Sequence, residues 1–244
     1  MEDFPDSSHA LDDPNGLLAV GGDLSPDRLL IAYSRGIFPW YSEGNPILWW
    51  TPDPRCVLFP DELKISKTLR KAMKLKRFTL TWDQAFTAVM EGCAGPRSED
   101  EGTWIDEKMT AAYQQLHRLG YAHSIDVWQH DRLVGGLYGV ALGSCFFGES
   151  MFHRVTEASK VALAGLVWRA RATGISLIDC QVSSDHLLSL GARNLPRQHF
   201  ENLLARAIKT VGTGEETDAA MAAVTGFPAT STMLSELKGK GGEA

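Results

Sequence analysis

The chain has 244 residues, of which 44% are hydrophobic and 22% are charged, and its formal net charge is −6. These values are typical of a globular protein with one or two domains, and they exclude a long disordered chain. No run of residues approaches the ~18 apolar residues of a membrane span, and Met1-Glu2-Asp3-Phe4 lacks the basic and apolar stretches of a secretion signal. We therefore expect a cytoplasmic protein without membrane contact.

Residues 1–60 are rich in Gly, Pro and Trp, which predicts a small, loop-rich N-terminal domain. Within it, Ser25-Pro26 is a typical helix start, and the helix is expected to continue to Ser34. The aromatic residues are too dense for a domain of this size to bury them all, so we expect some to line a cleft. They are Phe38, Trp40, Tyr41, Trp49 and Trp50.

A basic segment follows the N-terminal region. At helical spacing its apolar residues Ile65, Leu69 and Ala72 lie on one face. Six basic residues share the opposite face, namely Lys64, Lys67, Arg70, Lys71, Lys74 and Arg77. Such a cationic face suits contacts with the phosphates of a nucleic acid, although a solvated helix face gives the same pattern.

Residues 61–211 show a regular alternation that predicts a second, larger domain. Helices are expected at about 82–91, 106–119, 157–173, 185–190 and 198–209, and strands at 123–129, 132–142, 144–152 and 176–182. A three-stranded antiparallel meander, followed by a helix and a strand that joins in parallel, is typical of the acyl-CoA N-acyltransferase fold. We therefore predict an α+β, GNAT-like domain. Residues 212–244 are expected to form a largely disordered tail.

The loop between the predicted third strand and the next helix differs from that of acyl-CoA enzymes. Those enzymes hold the pyrophosphate of CoA on the backbone amides of a glycine-rich loop. Here residues 152–158 contain no glycine. An acyl donor other than CoA is therefore expected.

Three polar residues interrupt segments that otherwise indicate buried strands. They are Glu149, Asp179 and Gln181. The two-residue period of a strand predicts that Asp179 and Gln181 point to one face, while Cys180 points to the other. Because an unpaired buried carboxylate is costly, this cluster indicates a working site.

Cysteine spacing gives no sign of a metal site. Cys56, Cys93, Cys145 and Cys180 are far apart and form no CxxC pair. Neither a zinc site nor a disulfide framework is indicated, so we expect reduced thiols and no metal.

Several long motifs carry a specific resemblance. They are Asn15-Gly16-Leu17-Leu18-Ala19-Val20-Gly21-Gly22-Asp23-Leu24, Arg35-Gly36-Ile37-Phe38-Pro39-Trp40, Pro46-Ile47-Leu48-Trp49-Trp50-Thr51-Pro52-Asp53-Pro54-Arg55, Glu101-Gly102-Thr103-Trp104-Ile105, Gly148-Glu149-Ser150-Met151-Phe152 and Ile178-Asp179-Cys180-Gln181. With these motifs, from about Asn15 to His199, the chain closely resembles the bacterial leucyl/phenylalanyl-tRNA-protein transferase family.

The resemblance implies an aminoacyltransferase that needs no cofactor. Its donors would be leucyl-tRNA and phenylalanyl-tRNA, with methionine as a further candidate amino acid. Its acceptor would be the α-amino group of a protein with N-terminal Arg or Lys, and the product would be a degradation signal. The donor is an ester on the terminal adenosine of tRNA, which agrees with the missing glycine loop and with the basic segment.

The resemblance also implies roles for particular residues. The catalytic positions fall on Asp179 and Gln181, with Glu149 nearby in a role left open. Trp49 is expected to stack on the terminal adenine, and Asp179 is expected to orient and polarise the amide of Gln181. The pocket for the donor side chain is expected at Trp104, Tyr113, Leu137, Met151, Leu163 and Ile178, with Leu166 on the same helix face as Leu163.

Three alternatives remain open at this point. An acyl-CoA N-acetyltransferase would share the fold but lacks its glycine loop here. A non-catalytic module that binds tRNA or N-degrons would keep the tryptophans and the basic segment but would not need Asp179 and Gln181. A cysteine hydrolase would use Cys180 with His186 or His153, although Cys180 is predicted to face away from the site.

Overall fold

The structure, a computed structural model, describes residues 4–75, 77–95, 105–209 and 226–238. In chain order, its strands are β1 (Leu17–Val20), β2 (Phe38–Pro39), β3 (Leu48–Trp50), β4 (Arg55–Leu58), β5 (Thr79–Trp82), β6 (Ala122–Gln129), β7 (Arg132–Leu142), β8 (Cys145–His153), β9 (Leu177–Gln181) and β10 (Arg193–Leu195). Its helices are α1 (Pro26–Ser34), α2 (Lys67–Lys74), α3 (Phe86–Ala94), α4 (Glu107–Arg118), α5 (Ala158–Thr173), α6 (Asp185–Ser189), α7 (Arg197–Lys209) and α8 (Thr230–Lys238).

A seven-stranded sheet forms the centre of the molecule, in the order β10-β4-β9-β8-β7-β6-β5. Strands β6, β7 and β8 form the predicted antiparallel meander, helix α5 follows, and β9 then joins β8 in parallel. The predicted α+β, GNAT-like fold class is therefore confirmed.

The hydrophobic core lies on both faces of this sheet. Along β7, alternate side chains enter different clusters, as Val140 and Ala141 illustrate. Helices α1, α3, α4 and α7 cover one face, whereas α2, α5 and α8 cover the other. No helix in the described part of the chain is both long and apolar enough to cross a membrane.

The N-terminal region is smaller than predicted. Strands β1, β3 and β2 form a separate three-stranded sheet, and α1 follows β1. Strand β4, however, lies between β10 and β9 of the large sheet. The predicted domain boundary at residue 60 is therefore too late, because residues 55–58 already belong to the larger fold.

The end of the chain also differs from the prediction. Helix α8 buries Met233, Leu234 and Leu237 in the core cluster that contains α2 and α5. The prediction of a disordered tail is wrong for this helix, because its apolar side is covered. Residues 210–225 and 239–244 lie outside the described part of the chain.

Two further elements differ in detail. The basic segment is helical over Lys67–Lys74, so Lys64 and Arg77 flank helix α2 rather than belong to it. Trp82, predicted to begin a helix, is the last residue of edge strand β5 and pairs with Ile125. The helix that follows begins at Phe86.

Candidate active site

A cavity of about 580 Å³ opens between the N-terminal region and the large sheet. This volume is within the range of small-molecule sites in proteins. One wall is formed by residues 38–40, and the others by β7, β8, β9, α5 and α6. Glu149 and Gln181 are among the polar residues that face this cavity from the sheet.

The inner wall of the cavity is apolar. It contains Leu137, Met151, Leu163, Leu166 and Ile178. Strands β7 and β8 bring the first two together as register partners, and α5 adds the next two at a spacing of three residues. The structure therefore brings together five of the eight residues predicted to bind substrate.

Two bulges turn the polar residues of β8 and β9 into this cavity. In β8, Glu149 is an extra residue, because Ser150 pairs with Tyr138 whereas Gly148 pairs with Gly139. Glycine is needed at 139, since a Cβ there would lie 2.1 Å from the carbonyl oxygen of Phe147. Bulges redirect side chains in this way and are frequent beside active sites.

The second bulge lies in β9. Asp179 pairs with Val57 and Gln181 pairs with Cys56, so Cys180 is the extra residue. The predicted alternation is therefore wrong at this point. Cys180 and Gln181 both line the cavity, whereas Asp179 is fully buried and does not.

Glu149 is the centre of a hydrogen-bond network. Its Oε1 accepts hydrogen bonds from the Tyr33 hydroxyl at 2.8 Å and from Gln181 Nε2 at 2.8 Å, and its Oε2 accepts one from the Tyr113 hydroxyl at 2.9 Å. Burial raises the pKa of Glu149 from 4.5 to about 7, although the hydrogen bonds from both tyrosines lower it. A carboxyl group with such a pKa is suited to exchange protons near neutral pH.

The two tyrosines hold this carboxylate from behind. Their hydroxyls also contact each other, and both side chains are fully buried. Burial, followed by repulsion from Glu149, raises the pKa of each hydroxyl well above its usual value, so both remain protonated donors. Tyr113, predicted to line the donor pocket, lies behind Glu149 and is not among the residues that line the cavity. Sequence reasoning missed Tyr33, which lies on α1, because no motif or period singles it out.

Asp179 forms a buried ion pair with Arg55. Asp179 Oδ1 accepts from Arg55 Nε at 2.8 Å, and Oδ2 accepts from Nη2 at 2.6 Å. The guanidinium lies between the rings of Phe38 and Phe200, 4.8 and 4.7 Å from their centroids. Sequence reasoning missed Arg55 as a site residue, although it ends one of the quoted motifs.

Gln181 is held through its backbone. Its φ of 62° lies in the left-handed region, which is unfavourable for a residue with a side chain. The Gln181 N–H donates to Asp179 Oδ1 at 2.9 Å, which stabilises this conformation. Asp179 therefore orients Gln181, but it does so through the peptide group rather than through the side-chain amide as predicted.

Cys180 shares the cavity wall with His153 and His186. A hydrogen bond with Cys56, together with burial, raises the pKa of the Cys180 thiol well above its usual range. A thiol that stays protonated is a poor nucleophile. The arrangement therefore gives no support to a cysteine hydrolase.

The tryptophan predicted to stack on a base is misplaced. Trp49 has 0% of its surface exposed, packs edge-on against Phe4 and donates from Nε1 to the Gly21 carbonyl at 2.9 Å. The stacking prediction for Trp49 is wrong, because neither face of its ring is accessible. Trp40, by contrast, is 48% exposed and lines the cavity.

The predicted tRNA-binding residues lie on the surface around α2. Lys64, Lys67, Arg70, Lys71, Lys74 and Arg77 are all exposed. The Lys64 N–H donates to the Leu190 carbonyl at 2.8 Å, directly after α6, which lines the cavity. The basic surface therefore begins next to the cavity wall.

Trp104, predicted to line the donor pocket, lies outside the described residues. Within the described ranges, no three His, Cys, Asp or Glu side chains form a group that could hold a metal ion.

Comparison with known proteins identifies the family. The family described as leucyl/phenylalanyl-tRNA protein transferase matches residues 57–205, and its N-terminal domain matches residues 22–53. The chain is 58% identical over 202 residues to the leucyl/phenylalanyl-tRNA–protein transferase of Stutzerimonas stutzeri (strain A1501), covering 83% of this chain and 89% of that protein. The chain belongs to this family.

Another leucyl/phenylalanyl-tRNA–protein transferase, from Pseudomonas fluorescens (strain Pf0-1), is 59% identical over 203 residues, covering 83% of this chain and 90% of that protein. Among solved structures, the chain is similar to a GCN5-related N-acetyltransferase from Kribbella flavida, with 12% identity, a TM-score of 0.38, and coverage of 70% of this chain and 61% of that chain. Membership of the transferase family confirms the resemblance found in the motifs.

The buried ion pair allows a direct prediction about stability. Replacing only one partner, as in Arg55→Met or Asp179→Leu, leaves an unpaired buried charge and is expected to lower the free energy of unfolding by about 3–5 kcal/mol. The double variant, which removes both charges, is expected to recover most of this loss. Urea unfolding of the three variants checks this, and a double variant that loses the sum of both single effects would contradict the pairing.

Proposed function

We propose that this protein transfers leucine or phenylalanine, and also methionine, from aminoacyl-tRNA to the α-amino group of proteins that begin with Arg or Lys. The observation that carries the proposal is one cavity with an apolar inner wall and, beside it, a carboxyl and an amide that two bulges turn inward. Family membership supports the choice of donor and acceptor. Because the donor is charged tRNA, we place the reaction in the cytoplasm.

The apolar wall receives the side chain of the donor amino acid. Leu137, Met151 and Ile178 come from three adjacent strands, and Leu163 and Leu166 face them from α5. A hydrophobic pocket discriminates by only about 1–3 kcal/mol per methylene. Acceptance of leucine, phenylalanine and methionine by one such wall is therefore physically reasonable.

Glu149 receives the proton that the acceptor must lose. The α-ammonium group of the acceptor cannot attack until it is neutral, and the pKa of Glu149, raised to about 7, suits a base at neutral pH. The amine nitrogen then forms a bond to the ester carbonyl carbon, and the bond from that carbon to the ribose oxygen breaks. The proton taken up by Glu149 returns to this leaving oxygen. The regenerated carboxylate then accepts the second proton, which the nitrogen loses as the amide forms, and releases it to water.

Gln181 positions the amine for this attack. Its Nε2 donates to Glu149, which leaves the amide oxygen as the end that accepts a hydrogen bond from the amine. Asp179 and Arg55 touch neither substrate in this scheme. They are positioning residues that keep the Gln181 backbone in its left-handed conformation.

The basic surface around α2 binds the tRNA body. Its cationic residues are exposed, and Lys64 connects it to the α6 wall of the cavity. Each phosphate contact releases counterions, so binding should weaken steeply as salt increases. This surface explains how a chain with a net charge of −6 binds an anionic partner.

An acyl-CoA donor fits this site poorly. Glu157 precedes the first residue of α5, where the pyrophosphate of CoA would need an anion-binding helix terminus. Its carboxylate is paired with Lys160 Nζ at 2.7 Å, so the residue before the helix is acidic and Lys160 is already engaged by it. A purely binding module would not require a carboxyl group with a pKa near neutrality inside the cavity.

The proposal is tested by a transfer assay with matched donors and acceptors. Labelled leucyl-tRNA and phenylalanyl-tRNA are incubated with peptides that begin with Arg, Lys or Ala, and acetyl-CoA serves as the alternative donor. We expect product only from charged tRNA and only with the Arg and Lys peptides. Binding of charged tRNA without transfer would instead support the non-catalytic module, and acetylation would support the CoA enzyme.

The exposed ring of Trp40 leads to a second prediction. If Trp40 stacks on the terminal adenine, Trp40→Ala should weaken binding of charged tRNA by about 1–3 kcal/mol, whereas Trp40→Phe should retain much of the affinity. Trp49→Phe is the matched control, because this buried residue should affect stability and not affinity. Filter binding at constant salt measures the affinity of these three variants for charged tRNA. An unchanged affinity of Trp40→Ala would exclude the stacking role.

A further inference from the structure

Helix α8 lies beyond residues 57–205, the span matched by the main family description, yet it is packed against the basic helix α2. Met233 and Leu234 of α8 share a core cluster with Leu69 and Met73 of α2. The proposed role of α2 in tRNA binding makes this contact relevant to function.

Helix α2 has little stability of its own. It contains eight residues, and helices of this length are marginal without tertiary contacts. Lys67, Arg70, Lys71 and Lys74 form like-charged pairs at spacings of three and four residues, which destabilise a helix. Its first turn contains no acidic residue. The helix therefore depends on the cap provided by Ser66, whose Oγ accepts from the Leu69 N–H at 3.1 Å, and on packing.

Helix α8 supplies a specific polar contact to the end of α2. The Thr230 hydroxyl donates to the Met73 carbonyl at 2.8 Å, and Thr230 is 1% exposed. Met73 is in the last turn of α2, where carbonyl groups lack the regular partner four residues on. Within the described end of the helix, its carbonyl is approached only by the N–H of Leu75, which also donates to Lys71. This bond therefore gives the Met73 carbonyl a side-chain donor that α2 by itself does not supply.

A second contact fixes both segments to α5. The guanidinium of Arg171 donates from Nη2 to the Pro60 carbonyl at 2.8 Å and from Nη1 to the Leu237 carbonyl at 3.0 Å. Pro60 lies at the start of the segment that leads to α2, and Leu237 is in the last turn of α8. Helix α5 also carries Leu163 and Leu166 of the cavity wall. One helix thus connects the cavity, the approach to α2 and the end of α8.

We propose that α8 positions the basic helix for tRNA, with Thr230 as the positioning residue, an inference that rests on the proposed function. The α8 contact holds the cationic face of α2 at a fixed place relative to the cavity. Binding of the tRNA body then requires α8. The chemistry at the 3′ end of the donor does not require α8.

The test compares two donors in the full-length protein. Leucyl-tRNA engages both the cavity and α2, whereas leucyl-adenosine, which has no tRNA body, engages only the cavity. Thr230→Val removes the hydroxyl with little change of shape, and Thr230→Ser retains the hydroxyl. Thr232→Ala is the matched control, because Thr232 is exposed on the same helix.

We expect Thr230→Val to raise KM for leucyl-tRNA by roughly 3–10-fold at unchanged kcat, in keeping with the loss of one buried hydrogen bond. With leucyl-adenosine, the kinetics of Thr230→Val should match wild type. The variants Thr230→Ser and Thr232→Ala should match wild type with both donors. An equal loss with both donors, or an unchanged KM for leucyl-tRNA, would overturn the positioning role.

Hydrogen exchange separates this inference from the proposed function. Thr230→Val should accelerate amide exchange in α2 more than in α5, whether or not any donor is used. If wild type transfers leucine from neither donor, the proposed function fails, while the exchange result still decides whether α8 stabilises α2. Exchange in α2 that equals wild type would overturn the inference. Leu234→Ala, which removes buried apolar contact instead of a hydrogen bond, provides the second variant and should show the same selectivity.

Discussion

Arg55 and Asp179 carry opposite charges in a place that water does not reach, and the rest of the site depends on their pairing. Because such charges are costly when unpaired, β4 and β9 are held in one register beside the cavity. The rings of Phe38 and Phe200 cover the guanidinium, which ties β2 and α7 to the same point. The ion pair thus joins the N-terminal region to the large sheet at the base of the cavity, and it fixes the backbone that presents Gln181.

The electrostatic properties of the cavity follow from what surrounds Glu149. Burial disfavours its charge, whereas two protonated tyrosines and the Gln181 amide stabilise the charge when it forms. These opposing effects leave its pKa near neutrality, where a carboxyl group can both accept and return a proton. In the proposed reaction, Glu149 therefore serves as the base that accepts the proton of the amine. An apolar wall on one side and this network on the other can hold an aminoacyl ester and an attacking amine together.

Periodicity in the sequence predicted the meander, α5 and β9, because regular elements repeat with a fixed period. The apolar residues of the cavity wall were instead implied by the family resemblance, apart from Leu166, which follows from the helix face that it shares with Leu163. Periodicity failed where the chain departs from a period. The bulges at Glu149 and Cys180 reverse the expected direction of side chains, and no local pattern indicates them. Two tryptophans beside turn residues gave no basis for choosing the exposed Trp40 over the buried Trp49. Arg55 and Tyr33 act through contacts with residues far along the chain, which only the tertiary structure shows.

The measurement that tests this account most directly is the pH dependence of single-turnover transfer from leucyl-tRNA to an Arg-peptide, for wild type and for Glu149→Gln. Because the carboxylate form of Glu149 predominates above its pKa of about 7, the wild-type rate should rise through that pH and then level off. Glu149→Gln should be slower, and its remaining pH dependence should move to the titration of the peptide amine near pH ~8. A variant that retains the rise near pH 7 at the wild-type rate would contradict the role of Glu149 as the base.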